Sequence, residues 1–246
     1  MSHIIKGNWD ETIKNMADFN TNMGIGTYKE KTLHNVIKHY FEPDTQFHEM
    51  PWGKKIADIS NEFGIIEIQT RSFDNLREKL KYFLPENNVT VVYPYAKIKW
   101  MSWLDPKTGE ISKRRKSPKK QSVFDAFYEL YKIKMFLNHK NLNLFLIGLE
   151  LDEVRLLDGW SYDGKKGSTR YDRYPIEILE TVYIKNMQDY LQFLPEDIPY
   201  PFTNEDLARC CKISIETASK ATNCLCSTGV LQVVGKNGRK NLYNII

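Results

Sequence analysis

A chain of 246 residues with 41% hydrophobic and 13% aromatic content can bury one sizeable core and a second, smaller one, which argues for a folded soluble protein. The 35 Lys+Arg against 31 Asp+Glu leave a net charge of +4, too small to mark a nucleic-acid binder unless the charge is concentrated locally. No apolar run approaches the roughly 20 residues of a membrane-spanning helix, and the first residues carry no apolar signal core, so the expectation is a cytoplasmic protein with no membrane partner.

Taken in chain order, residues 1–24 form a helical lead-in, with Trp9, Ile13, Met16 and Phe19 at helical spacing before Gly24. A helix over 27–41 follows, then a break at Pro43. Short β-type runs come next at 47–50, 55–59 and 64–70, the last two spaced as a hairpin. Phe73, Leu76, Leu80, Phe83 and Leu84 define an amphipathic helix over 72–84, with Ser72 as its cap and Pro85 as its stop. Residues 89–93 are a fully buried strand. Helix, three strands, helix, strand is the order of an α/β chain with a mixed central sheet and helices on its faces. Residues 97–120 hold nine Lys/Arg against Asp105 and Glu110, with KRRKSPKK at 113–120, and predict a basic loop or hairpin. A helix over 122–137 and a strand over 142–151 precede a Gly-, Tyr- and charge-rich stretch, 158–175, that has the composition of a long loop.

From about residue 198 the pattern changes to a smaller unit. Phe202 and Leu207 staple a capping box formed by Thr203 and Asp206, Ser214 caps a second helix ending near Gly229, and two β-type runs pair through 235–238. Helix, turn, helix and β-hairpin make a winged helix over 198–246, after a main domain at 25–190. On its second helix Ile215, Ala218 and Leu225 are expected inward, and Glu216, Ser219, Lys220 and Asn223 outward. Cys210, Cys211, Cys224 and Cys226 lack the spacing for a shared zinc ion and are expected to be reduced core-fillers.

Three acids break apolar patterns. Glu30 shares a helical stripe with Leu33, Ile37 and Phe41, Asp58 sits on the strand at 55–59, and Glu67 projects with Gln69 from the face of the next strand opposite Ile66 and Ile68. Buried carboxylates that converge need a cation, and an all-oxygen cluster suits Mg²⁺ or Mn²⁺, which bridge a scissile phosphate and lower the pKa of an attacking water. With its order of elements, this pattern resembles the PD-(D/E)XK, or restriction-endonuclease-like, nucleases over residues 24–95, with 96–190 as elaboration. The resemblance implies that Asp58 and Glu67 ligate the metal, that Glu30 supports it, and that Gln69, in IEIQT at 66–70, stands at the position of the signature lysine. A neutral amide can orient water but supplies no positive charge. Arg71 is a candidate phosphate contact or partner for an acid, and His48-Glu49 is either an accessory pair at the site mouth or a structural pair at a strand end.

The resemblance further implies a metal-dependent DNA endonuclease acting on double-stranded DNA, with a homodimer compatible because two strands need two sites. The candidate DNA contacts are Lys113, Arg114, Arg115, Lys116, Lys119 and Lys120, with Trp100 and Trp103 placed either to stack on bases or simply to pack. In the tail they are Lys220 and Asn223 on the second helix and Lys236, Arg239 and Lys240 in the wing. A second basic surface combines Lys165, Lys166, Arg170 and Arg173 with Tyr162, Tyr171 and Tyr174. The alternative is a non-catalytic DNA-binding or regulatory protein with a degenerate nuclease core and a winged helix that binds DNA or a protein partner.

Overall fold

A computed structural model describes residues 4–15, 31–160 and 166–246. After a helical turn at 9–15, helix α1 (Thr32–Phe41) leads into an antiparallel meander of β1 (His48–Trp52), β2 (Lys55–Asn61) and β3 (Gly64–Ile68). Helix α2 (Leu76–Phe83) crosses over to β4 (Val89–Leu104), which lies parallel to β3. The two-residue strand β5 (Arg115–Lys116) folds back on β4. A helical segment containing α3 (Phe127–Leu130) then crosses to β6 (Leu142–Trp160), parallel to β4, and β7 (Lys166–Ile184) closes the sheet antiparallel to β6. The strand order is β1-β2-β3-β4-β6-β7. The chain is therefore α/β, with a mixed central sheet flanked by helices.

Alternation along the central strands divides the core into two layers. Ile65, Val89, Val91, Leu144 and Leu146 face α2 and the α3 segment, packing against Leu76, Leu80, Phe83, Phe127, Leu130 and Ile133. Ile66, Ile68, Val92, Phe145 and Ile147 face α1, packing against Leu33, Ile37 and Phe41. The β2–β3 turn depends on Gly64: its φ is +107°, and a Cβ there would lie 2.4 Å from the carbonyl oxygen of Asn88, which accepts the Ile65 N–H at 2.9 Å.

Three expectations from the sequence are corrected. Helix α2 begins at Leu76 rather than Ser72, because Ser72 hydrogen-bonds Asp74 in the preceding turn and Asn75 takes the N-cap position. Residues 122–137 form two 3-10 turns around the single α turn of α3, with a break at Ile133 (φ −115°). Their buried residues Phe127, Leu130 and Ile133 recur every three positions, the period of a 3-10 helix. The expected loop at 158–175 is mostly strand: β6 continues through Trp160 and β7 starts at Lys166. This distal β6–β7 arm has polar residues on both faces, so it lacks the apolar alternation that marks a half-buried strand. Four register shifts along β6–β7 bend it. Trp9 Nε1 donates to the Ile176 carbonyl (3.1 Å), Lys31 Nζ to the Tyr171 carbonyl (2.6 Å) and Thr32 Oγ1 to Asp172 Oδ2 (2.6 Å), which holds the arm against the start of α1.

The C-terminal unit contains α4 (Asn204–Cys211), α5 (Ile215–Thr228) and a hairpin of β8 (Leu231–Asn237) and β9 (Lys240–Ile245). Thr203 and Asp206 form the expected capping box, Ser214 Oγ accepts the Thr217 N–H, and Gly229 ends α5 at φ +83°. Phe202 and Leu207 are fully buried, and Cys224 fills core space. The unit's core runs without a break through Tyr190, Phe193 and Ile198 into the layer that covers α2 and α3. Ile215, expected inward, is 57% exposed, because the inner stripe of α5 starts at Thr217-Ala218 and continues through Ala221, Cys224 and Leu225. Among the described residues no helix is long and apolar enough to cross a membrane.

Candidate active site

The site forms where β2 and β3 part. Regular pairing stops at Ile59↔Ile66, and one step beyond it the Asp58 side chain turns in, its Oδ2 accepting the Ile68 N–H at 2.7 Å. A carboxylate has thus replaced a main-chain carbonyl as acceptor at this point of the ladder. Glu67 lies between Ile66 and Ile68 with no exposed surface. Two side chains reach the acids from opposite layers. Lys79 of α2 donates to Glu67 Oε2 at 2.8 Å and stands 3.8 Å from Asp58 Oδ1. His34 of α1 places Nε2 3.3 Å from Asp58 Oδ2.

The second Glu67 oxygen, Oε1, is buried with no hydrogen-bond partner. An acceptor left in that state costs about 1–3 kcal/mol. Burial and the neighbouring Asp58 charge push the Glu67 carboxyl up to about 8, against the opposing pull of Lys79. Burial also acts to raise Asp58, but the His34 hydrogen bond and charge, with the Lys79 charge, outweigh it and hold the carboxyl below its ordinary value. Burial acts to lower the Lys79 ammonium, and the charges of Glu67 and Asp58 overcome it and raise it. Two neighbouring carboxylates are therefore driven apart in proton affinity, the pattern of a site built around charge rather than of an ordinary core.

Of the residues expected here, Asp58 and Glu67 come together, whereas Glu30 lies outside the described residues. Gln69 follows the end of β3 with its N–H bonded to the Val92 carbonyl (2.9 Å), and its side chain makes no hydrogen bond among the described residues. Sequence reasoning missed Lys79 and His34. The signal for Lys79 was present: it lies three residues after Leu76 and four before Phe83, a charge on the apolar stripe of α2, the same criterion that singled out Glu30 on its own helix. Among the described residues no group of three His, Cys, Asp or Glu side chains forms a metal-ligating cluster. The donors present are two carboxylates, one with an unused buried oxygen, a chemistry that fits a hard divalent ion. His48 and Glu49 take the structural one of their two readings: His48 Nε2 bonds the Glu42 carbonyl (2.7 Å), and Glu49 pairs with the nearly buried Lys38 (2.7 Å).

The basic hairpin packs its cations on its own aromatic residues. The Arg114 guanidinium lies over the Trp100 ring at 4.3 Å and bonds Asp152 at 2.7 Å, and Arg115 lies over Trp103 at 4.5 Å. Lys116 shares the Trp100 ring at 5.5 Å. Both tryptophans thus pack against the chain's own cations, the second of the two roles open to them. Lys113, Lys119 and Lys120 stay exposed. On α5, Lys220 is half-buried over the Tyr131 ring (4.4 Å), the exposed Asn223 accepts from Lys134 (2.8 Å), and Tyr128 bonds Thr217 (3.3 Å). Part of the helix face expected to read nucleic acid thus touches the α3 segment, while Glu216, Ser219 and Asn223 stay exposed as expected. The hairpin tip keeps Lys236 and Arg239 exposed, while Lys240 pairs with Glu205 at 2.6 Å. In the second basic surface Lys165 and Tyr162 fall outside the described residues, and Arg170 and Arg173 lie on β7.

An uncharacterized protein of Treponema pallidum (strain Nichols) is 28% identical over 233 residues, spanning 90% of this chain and 87% of that protein. No solved structure matches. A family model matches residues 31–185, a span that contains the whole central sheet and the Asp58–Glu67–Lys79 site and stops short of α4. The chain belongs to that family, described as Domain of unknown function (DUF8091).

Proposed function

We propose that the chain is a divalent-metal-dependent deoxyribonuclease of the PD-(D/E)XK type with a C-terminal winged helix. The observation that carries the reading is the meeting of Asp58 and Glu67, from adjacent strands at the parting of the sheet, with the Lys79 ammonium 2.8 Å from Glu67, beside an unpartnered buried Glu67 oxygen. In this reading Asp58 and Glu67 hold Mg²⁺ or Mn²⁺. When bound there, such an ion would polarise a phosphodiester and lower the pKa of an attacking water. Lys79 takes over the role that Gln69 cannot perform, giving positive charge to the developing phosphorane from a helix instead of from β3. His34 orients Asp58.

A second reading has an observation of its own. Lys79 neutralises the acid pair without any ion, which suits a retained ion pair in a non-catalytic DNA-binding protein. Calorimetric titration with Mn²⁺ separates the two. The nuclease reading expects one site, lost in Asp58→Asn and in Glu67→Gln, and metal-dependent cleavage of duplex DNA that Lys79→Met abolishes. Absence of any Mn²⁺ heat in the folded protein sinks it.

A further inference from the structure

The bend of the β6–β7 arm carries Arg173 back across the sheet, where its guanidinium donates to the Thr70 carbonyl at 2.8 Å, three residues beyond Glu67 on the same segment. Arg71 is the next residue and is exposed. Arg170, three positions before Arg173 on β7, pairs with Glu153 at 3.2 Å. Three guanidinium-bearing residues are thereby gathered at the end of β3 that bears the acids, about 10 Å of strand from Glu67.

The local carboxylates do not balance them. Glu153 is shared by Arg155 (2.8 Å), Arg170 and Lys99 (3.5 Å). Asp172 accepts from Thr32 through Oδ2 and from the Arg173 main-chain N–H through Oδ1. Among the described residues neither Arg71 nor Arg173 makes an ion pair. Burial, and then the Arg170 charge, lower the Arg173 guanidinium to about 10 against the opposing pull of Glu153, with Arg71 adding to the lowering. A half-buried guanidinium held by a single carbonyl keeps most of its donor fork unused, and that fork matches two oxygens of a phosphate.

We propose that Arg71, Arg170 and Arg173 form an anion subsite that grips a backbone phosphate of the DNA strand running across Asp58 and Glu67. The proposal rests on the nuclease reading for the identity of its ligand, but it makes the bent arm, rather than the KRRKSPKK hairpin, the element that fixes the strand in register with the acids.

The test is binding by the full chain, in EDTA, of a fluorescein-labelled DNA duplex of about 20 base pairs, followed by anisotropy over a series of salt concentrations. Arg173→Gln and Arg71→Gln should each weaken binding about tenfold and lower the slope of log K against log salt by about one. Lys140→Gln, an equal charge change at the opposite end of the sheet, should leave both unchanged. If Arg173→Gln fails to fold, the exposed Arg71→Gln decides alone. Folded variants with wild-type affinity and salt slope overturn the subsite and leave the nuclease reading standing. Weakened binding in a protein that never cleaves DNA supports the subsite and removes the nuclease.

Discussion

Replacing Lys79 by Met keeps the length of the side chain and its packing on α2 while deleting the ammonium that Glu67 and Asp58 share. Breaking a buried ion pair by removing one partner costs about 3–5 kcal/mol. Glu67 limits that loss, since burial and Asp58 push its carboxyl up to about 8 even with Lys79 in place, and at neutral pH it holds a proton in both proteins. The expected cost in metal-free buffer is therefore about 1–3 kcal/mol, or a few degrees in Tm at about 2–4 °C per kcal/mol. An ion at about 100 times its Kd returns about 2.7 kcal/mol to any chain that binds it in the folded state alone. The variant should gain more than the wild type, because in the wild type the ion competes with the Lys79 ammonium for Glu67. Thermal unfolding of both proteins in EDTA and in excess Mg²⁺ or Mn²⁺ makes the comparison. A Lys79→Met protein that is destabilised but unmoved by either ion would refute the reasoning and assign the pair a structural role.

Three further outcomes follow from the same geometry. The folded Glu67 pKa lies above the ordinary 4.5, so its contribution to stability is fully present below about pH 4.5 and is lost as pH rises through about 8. Metal-free wild type should lose stability between those limits, and urea unfolding of Glu67→Gln should show a flatter profile there. Lys236→Gln with Arg239→Gln, both at the exposed hairpin tip, should weaken duplex binding and reduce its salt slope by about two without changing Tm, whereas Lys220→Gln should lower Tm through loss of its contact with Tyr131. Deletion of 198–246 should lower Tm by about 10 °C or more or yield aggregate, because it uncovers Tyr190, Phe193 and the α3 segment. An unchanged Tm in circular dichroism would show that the C-terminal unit is a detachable module.

The parts of this structure legible in the sequence are those where a local rule is strong. The Thr203–Asp206 capping box fixes the start of α4, and the Ser214 cap and Gly229 fix both ends of α5. The run at 89–92 identifies a central strand because parallel strands are buried on both faces. Asp58 and Glu67 stood out because each interrupts an apolar pattern, and the structure brings them together. What was not legible depends on contacts distant in sequence. Lys79 stands on the apolar stripe of α2, unlike Arg77 and Lys81, but its partners Glu67 and Asp58 follow only from the crossover that turns that stripe toward β3. The arm at 158–175 looks like a loop because its pairing is main-chain and its faces are wet. The covered state of Trp100 and Trp103, and the docking of Lys220 on Tyr131, follow from tertiary neighbours that no window of residues contains.

The central claim is that Asp58, Glu67 and Lys79 form a hydrolytic metal site, and cleavage of supercoiled plasmid and linear duplex DNA by the full chain tests it most directly. With Mg²⁺ or Mn²⁺ the wild type should nick or cut, EDTA should stop it, and Glu67→Ala, checked for folding, should lose about 10²-fold or more of the rate. Equal rates for wild type and Glu67→Ala, or no dependence on metal in either, would contradict the account.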